Sequence, residues 1–309
     1  MLDYDVQRPQ YSLWSQLAIL LFLTGIGLLI GSAVSIPIVM AYLHVPMQQL
    51  QEALLKSENA NLSRVLQFVT TLFFMALPAL IFARIMNRKP FAYIGFNNAI
   101  SGKQVFIIVG IVLFGLGISV VLSSINEMIP LSKPVEQYFK GLENEYNKEM
   151  LAIANMKTLQ DYIIALIMIA LLPAIFEEML FRGALQPIMI NLSKNAFIGI
   201  FITSILFSAI HMSYYGFLPR LALGLIIGYV FYFSKNLWLS SITHFFYNAF
   251  GVTQLYALSK QGLLNQDALN NESIPLYYGL IAAAALVVLF IFFKKESEVE
   301  ISLHNIKKM

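Results

Sequence analysis

Apolar residues fall in long, nearly unbroken runs separated by short polar stretches, at 17–43, 65–85, 105–124, 162–190, 196–211, 218–233, 237–255 and 276–293. Such runs are too long for buried strands and lack the alternation of barrel strands, so they predict helices that cross a membrane, each needing about 20 residues. The pattern therefore predicts an all-α polytopic membrane protein with about eight transmembrane helices in one bundle. The first run is too long for a signal-peptide core and follows Asp3 and Asp5 beside a single Arg8, so it is expected to be a retained span without cleavage. Two further segments have helical spacing without enough apolar length to span. Met47, Leu50, Leu54 and Leu55 recur among polar residues, and 138–150 is similarly mixed, as in helices that lie along an interface.

Composition strengthens this picture. Of 309 residues, 58% are hydrophobic and 12% charged, and the mean hydropathy is +0.71. Soluble domains carry about 25% charged residues, so this chain has too little charge to cover a water-facing surface. The net charge is +3 and the basic residues are scattered, which gives no footprint for nucleic acid as a partner. Cysteine is absent, which removes disulfides, thiolate metal ligands and a cysteine nucleophile together.

Basic residues near span ends tend to stay cytoplasmic. Arg84, Arg88, Lys89 and Lys103 follow the second span with no acidic residue between them. Placing that connection inside puts both termini inside, in keeping with Lys294, Lys295, Lys307 and Lys308 in the tail. The segment at about 126–161 then lies outside. Composition and short tails point to a bacterial cytoplasmic membrane, with membrane lipid as the surrounding partner. Gly27 with Gly31, and Gly224 with Gly228, have the four-residue spacing of small residues that lets helices approach closely. The chain reads as a single membrane-embedded domain over 1–309, with 162–255 as the core helices that carry its candidate functional residues.

Ionisable groups at membrane depth are costly unless paired or hydrated, so the few present mark candidate function. They are Glu177, Glu178 and Arg182 on the fourth span, His211 at the end of the fifth, and His244 with Asn248 on the seventh. At about 100° per residue, Glu178 and Arg182 share a helix face and can neutralise each other, while Glu177 points away without a partner on its own helix. An unpaired carboxylate in a desolvated bundle is suited to act as a general base near neutral pH. Phe207 lies four residues before His211, where its ring can restrict the imidazole, and His244 and Asn248 likewise share a face.

A glutamate, two histidines and an asparagine supply a base for water, a proton shuttle and donors to an oxyanion, which is the equipment for amide hydrolysis. In one mechanism Glu177 with His211 deprotonates water while His244 and Asn248 stabilise the oxyanion, and no cofactor is required. In the other, Glu177, His211 and His244 hold a metal such as zinc that lowers the pKa of bound water. An aspartic dyad is excluded because Asp3, Asp5, Asp161 and Asp267 lie outside the spans, and H-E-x-x-H is absent. Ser204 and Ser208 lie near His211, but serines in membrane helices usually return the hydroxyl to the backbone. The rival class is a transporter or non-catalytic scaffold, since buried Glu and His also form proton relays and Pro37, Pro78 and Pro173 interrupt helices as in transporters. Convergence of the four polar groups on one water-sized site separates the two classes.

Glu177-Glu178-x-x-x-Arg182, Phe207-x-x-x-His211 and His244-x-x-x-Asn248, in this order on successive helices, resemble the three motifs of the CPBP intramembrane proteases. That family includes the type II CAAX prenyl endopeptidases and bacterial abortive-infection and bacteriocin-immunity proteins. The resemblance implies an eight-helix membrane endopeptidase with Glu177, His211, His244 and Asn248 as the functional set and Glu178 and Arg182 as a supporting pair. It also implies a peptide or protein substrate, lipidated in some eukaryotic relatives.

Overall fold

The computed structural model describes residues 11–154, 156–264 and 275–306, and every regular element among them is helical. Among the described residues nine long helices follow one another: α1 Leu13–Leu43, α2 Ala60–Met86, α3 Gly102–Met128, α4 Lys133–Ile153, α5 Leu159–Ser193, α6 Ala196–Ala209, α7 Phe217–Ser234, α8 Leu237–Gln261 and α9 Leu276–Ile306. Asp3, Asp5, Arg8, Asp267, Lys307 and Lys308 lie outside the described residues.

The chain is an all-α polytopic membrane protein. Six of the eight predicted spans are long and apolar enough to cross a membrane: α1, α2, α3, α5, α7 and α9. The other two depart from the simple pattern for different reasons. The 14 residues of α6 rise only about 21 Å at ~1.5 Å per residue, short of a hydrocarbon core of about 30 Å. The 25 residues of α8 are long enough but less apolar, because this helix carries His244 and Asn248. Burial separates centre from rim: 39% of the apolar window is buried in α3, α5 and α7, against 17% in α1 and α9. The outer helices present Phe22, Leu29, Leu280 and Val287 outward, the surface expected where lipid replaces water.

The ends of the helices are set by local chemistry. Ser101 and Gln104 form a reciprocal capping box at the start of α3, as do Thr158 and Asp161 at the start of α5. The α5–α6 and α7–α8 turns repeat one three-residue solution, Ser193-Lys194-Asn195 and Ser234-Lys235-Asn236. In each, the serine hydroxyl bonds a carbonyl one turn back, the lysine takes a left-handed φ of 54° or 53°, and the asparagine caps the next helix.

The small residues lie where helices meet. A Cβ on Gly224 would stand 2.9 Å from Ser204 Cβ, and one on Gly228 2.6 Å from Ile200 Cγ2, so α6 and α7 touch through these positions. Gly27 and Gly31 face Phe73 of α2 in the same way. Both predicted interfacial segments are helical: Leu50–Leu54 is a short helix and 138–150 lies within α4. One end of the bundle gathers α4, the 44–59 connection and the α6–α7 connection, tied by Gln51 to Glu145, Ser213 to Glu143 and Asn126 to the Tyr214 carbonyl. Buried Arg64 joins α2 to α4 at this end through the Ile153 carbonyl. The opposite end gathers 95–101 and 235–237, tied by Asn236 to Asn97 and Ala99.

Candidate active site

Three stretches of wider π-helical turns interrupt α2 and α5, at Leu72–Ala76, Leu166–Leu171 and Met179–Leu185. Each ends two residues before a proline, Pro78, Pro173 or Pro187. A proline cannot donate to the carbonyl four residues back and its ring crowds that carbonyl, so widening the turn removes the clash without breaking the helix. The last stretch begins immediately after Glu178 and contains Arg182. The carboxylates therefore project from regular α-helix and the arginine from the widened turn.

Glu178 and Arg182 are fully buried and paired at 2.8 Å, as their spacing predicts. Arg182 also donates from Nη2 to the Gly224 carbonyl at 3.1 Å, where the absent side chain lets α7 come close, and its guanidinium lies 4.6 Å from the centre of the Phe207 ring. Glu178 does more than the sequence suggests. The same Oε1 that meets Arg182 lies 2.9 Å from His244 Nδ1. With Glu178 ionised against Arg182, that nitrogen donates, which fixes the ring orientation and directs Nε2 away from Glu178.

His211 is oriented by a different device. Its Nδ1 lies 2.8 Å from the Phe207 carbonyl, and a carbonyl only accepts, so the proton sits on Nδ1 and the neutral ring offers a lone pair at Nε2. The Phe207 ring packs edge-on against both imidazoles, at 5.3 Å from His211 and 5.6 Å from His244. The sequence anticipates the first contact only. One aromatic ring thus spaces His211, in the turn that follows α6, from His244 of α8.

Glu177 has no partner on its own helix, and its Oε2 faces His244 Nε2 at 4.0 Å. That separation exceeds a direct hydrogen bond. Glu177 Oε2 is buried without a hydrogen-bond partner among the described residues. The structure therefore brings Glu177, His244 and, across Phe207, His211 into one region. Asn248 stands one turn beyond His244, half-buried, and its carboxamide has no hydrogen-bond partner among the described residues. Ser204 and Ser208 return their hydroxyls to the carbonyls of Ile200 and Phe217 at 2.8 and 2.7 Å, which leaves no serine nucleophile beside His211. The donor types suit zinc, yet among the described residues no three His, Cys, Asp or Glu side chains gather as a ligand group.

Two side chains near the cluster escape the sequence reading. Arg220, in the first turn of α7, is close enough for its charge to act on both Glu177 and His211. A cation there opposes the positive end of the helix dipole, and that mismatch is the sequence signal that marks it. Tyr247, beside Asn248, bonds the Ser119 hydroxyl of α3. Both residues line a cavity of about 810 Å³ that is otherwise walled by α4, the end of α3 and the α6–α7 connection. The cavity lies beside the Glu177–His244 cluster rather than around it, with Arg220 and Tyr247 at the boundary.

A search of curated proteins and a search of solved structures found no match. Residues 159–250 match the family model described as Type II CAAX prenyl endopeptidase Rce1-like. The matched segment starts at the first residue of α5 and ends two residues past Asn248, so it contains all three motifs and the helices that carry them. Over residues 159–250 the chain is thus similar to the Rce1-like type II CAAX prenyl endopeptidases, the group within the CPBP intramembrane proteases that its three motifs resemble.

Proposed function

We propose that the protein hydrolyses a peptide bond of a membrane-associated protein or peptide, with water activated by Glu177 and His211 and the oxyanion held by His244 and Asn248. The observation that carries this reading is the 4.0 Å gap between Glu177 Oε2 and His244 Nε2, with Nδ1 of each histidine already engaged elsewhere. Glu177 takes a proton from water as the oxygen attacks the carbonyl carbon, and the Nε2 lone pair of His211 helps to orient that water. The resulting oxyanion accepts hydrogen bonds from the Asn248 carboxamide and from His244 in its protonated form. Two carboxylates, Arg182 and a protonated His244 sum to zero charge, so the cluster carries the imidazolium without an uncompensated ion. The proton on Glu177 then passes to the amine nitrogen as the C–N bond breaks, leaving a carboxylic acid and an amine, which exchange a proton to give carboxylate and ammonium.

In this reading the reaction needs no cofactor. Purified protein incubated with a fluorogenic peptide library is expected to cleave at the same rate before and after exhaustive chelation. Loss of cleavage on chelation, restored by zinc, would replace the glutamate mechanism with a metal-dependent one.

The protein is placed in a bacterial cytoplasmic membrane with both termini inside. Lys89, Lys103, Lys194 and Lys235 then lie at the cytoplasmic end, and α4 with the adjoining cavity faces outward. Because the chain has no cysteine, single substitutions report orientation without background. Gln51→Cys is expected to react with a membrane-impermeant maleimide in intact cells, and Lys194→Cys only after permeabilisation. The reverse pattern would invert the topology and place substrate access on the cytoplasmic side.

A further inference from the structure

His211 lies beyond the last helical residue of α6, so the helix alone does not place it. The next residue, Met212, takes a left-handed φ of 52° with its side chain 68% exposed. A non-glycine residue keeps that conformation where its surroundings hold it, and an exposed side chain offers no hold of its own. The turn that carries His211 is therefore held by what grips the residues after it.

Two elements grip that segment. Asn126 of α3 donates to the Tyr214 carbonyl at 2.9 Å and accepts from the Leu218 amide at 3.2 Å. The second element is α4. Phe139 stacks on Tyr214 with ring centres 4.8 Å apart and planes 22° from parallel. Glu143 accepts from the Ser213 hydroxyl at 2.9 Å, and the same Ser213 oxygen accepts from the Gly216 amide at 3.1 Å. The Tyr146 hydroxyl accepts from Arg220 Nη2 at 3.0 Å. Positions 139, 143 and 146 are four and three apart, so one face of α4 makes all three contacts. Of the 21 residues of α4 only Ala152 is buried, and Arg64 pins the far end of the helix through the Ile153 carbonyl. A helix that buries so little apolar surface contributes little to the core; what it builds is a braced clasp on the His211 turn.

We propose that Phe139, Glu143 and Tyr146 are positioning residues that hold His211 in register with Glu177 and His244. The assignment rests on the peptidase reading and adds to it a part that lies before residues 159–250, where the family likeness assigns nothing. The three side chains act through 213–220 rather than on the imidazole itself. A displacement of about 1 Å at a group that orients the attacking water costs up to about 10²-fold in rate.

The test compares Phe139→Ala with Glu143→Ala, which breaks two arms of the clasp, against Phe139→Tyr with Glu143→Gln, which keeps a stacking ring and an acceptor. One readout is the ¹⁵N spectrum of histidine-labelled protein in detergent at mildly alkaline pH, where the ring is neutral and the two nitrogens report the tautomer. The chain has four histidines, and His211→Gln and His244→Gln assign the two signals that matter. In wild type His211 is expected as the single Nδ1–H form set by the Phe207 carbonyl. The alanine pair is expected to average the two tautomers of His211, while His244, held by Glu178, keeps its own and reports that the bundle is folded. The second readout is steady-state cleavage of one fluorogenic peptide. There kcat is expected to fall by about 10–10²-fold with KM held, and the conservative pair to recover most of it. Should the alanine pair lose the His244 signature, the same two readings on Glu143→Ala alone decide. An unchanged His211 signal, an unchanged kcat, a loss confined to KM, or no recovery in the conservative pair overturns the assignment. A His211 signal that averages as expected, in a protein whose wild type cleaves no peptide, would instead overturn the peptidase reading and leave the clasp in place.

Discussion

Glu177→Gln is expected to lower kcat for peptide hydrolysis by about 10²–10⁴-fold, the range contributed by a positioned general base, with KM changed little. Glutamine keeps the shape of the side chain and its place in the cluster, but its amide cannot take a proton from water. KM is expected to hold because the interaction removed is with the attacking water and belongs to the transition state. Protein stability should change little, since Glu177 Oε2 has no hydrogen-bond partner to lose among the described residues. Steady-state kinetics on one fluorogenic peptide, with thermal unfolding of both proteins in the same detergent, separates these effects. A fall in stability that matches the fall in activity would move Glu177 from the chemistry to the scaffold.

Arg182→Met is expected to destabilise the protein by about 3–5 kcal/mol, the cost of breaking a buried ion pair from one side. The substitution leaves the Glu178 carboxylate buried beside His244 without its counter-charge, and it strips the Gly224 carbonyl of its donor. Removing both charges in Glu178→Leu with Arg182→Met should cost less than Arg182→Met alone, because no orphaned ion remains. The double variant is nevertheless expected to be inactive, because His244 Nδ1 loses the acceptor that orients it. Regained stability without regained activity would show that the pair serves the site as well as the packing. Glu178→Gln is expected to lower specific activity along with stability for the same reason, since one carboxylate oxygen serves both Arg182 and His244.

The parts of this arrangement that were legible in the sequence are those set by short-range periodicity. Four-residue spacing places Glu178 beside Arg182 and the glycines of α7 at the α6 contact, and it brings Phe207 beside His211 although the helix itself ends just before that histidine. The scarcity of charge in apolar runs isolates the site residues, because each buried ion there needs a specific partner. Contacts between distant segments were not legible. The bond from Glu178 to His244 joins positions 66 apart, and no local rule states which histidine the carboxylate meets. The contact of Phe207 with His244 is of the same kind. The π-helical stretches were legible only in part: Pro78 and Pro173 mark interrupted helices, but the sequence does not say whether the chain kinks or widens. The polarity of α8 follows from function, since a helix that carries His244 and Asn248 cannot also be uniformly apolar. Arg220 was passed over because a residue near a span end ordinarily reaches water, whereas here Nη1 is buried and Nη2 meets Tyr146 of α4.

The most direct measurement is mass spectrometry of a peptide pool incubated with the purified protein in ¹⁸O-labelled water. Wild type should produce new C-termini carrying ¹⁸O, and Glu177→Gln protein should produce none above background in the same interval. New labelled termini at equal rates from the two proteins, or none from wild type, would contradict hydrolysis by water activated at Glu177.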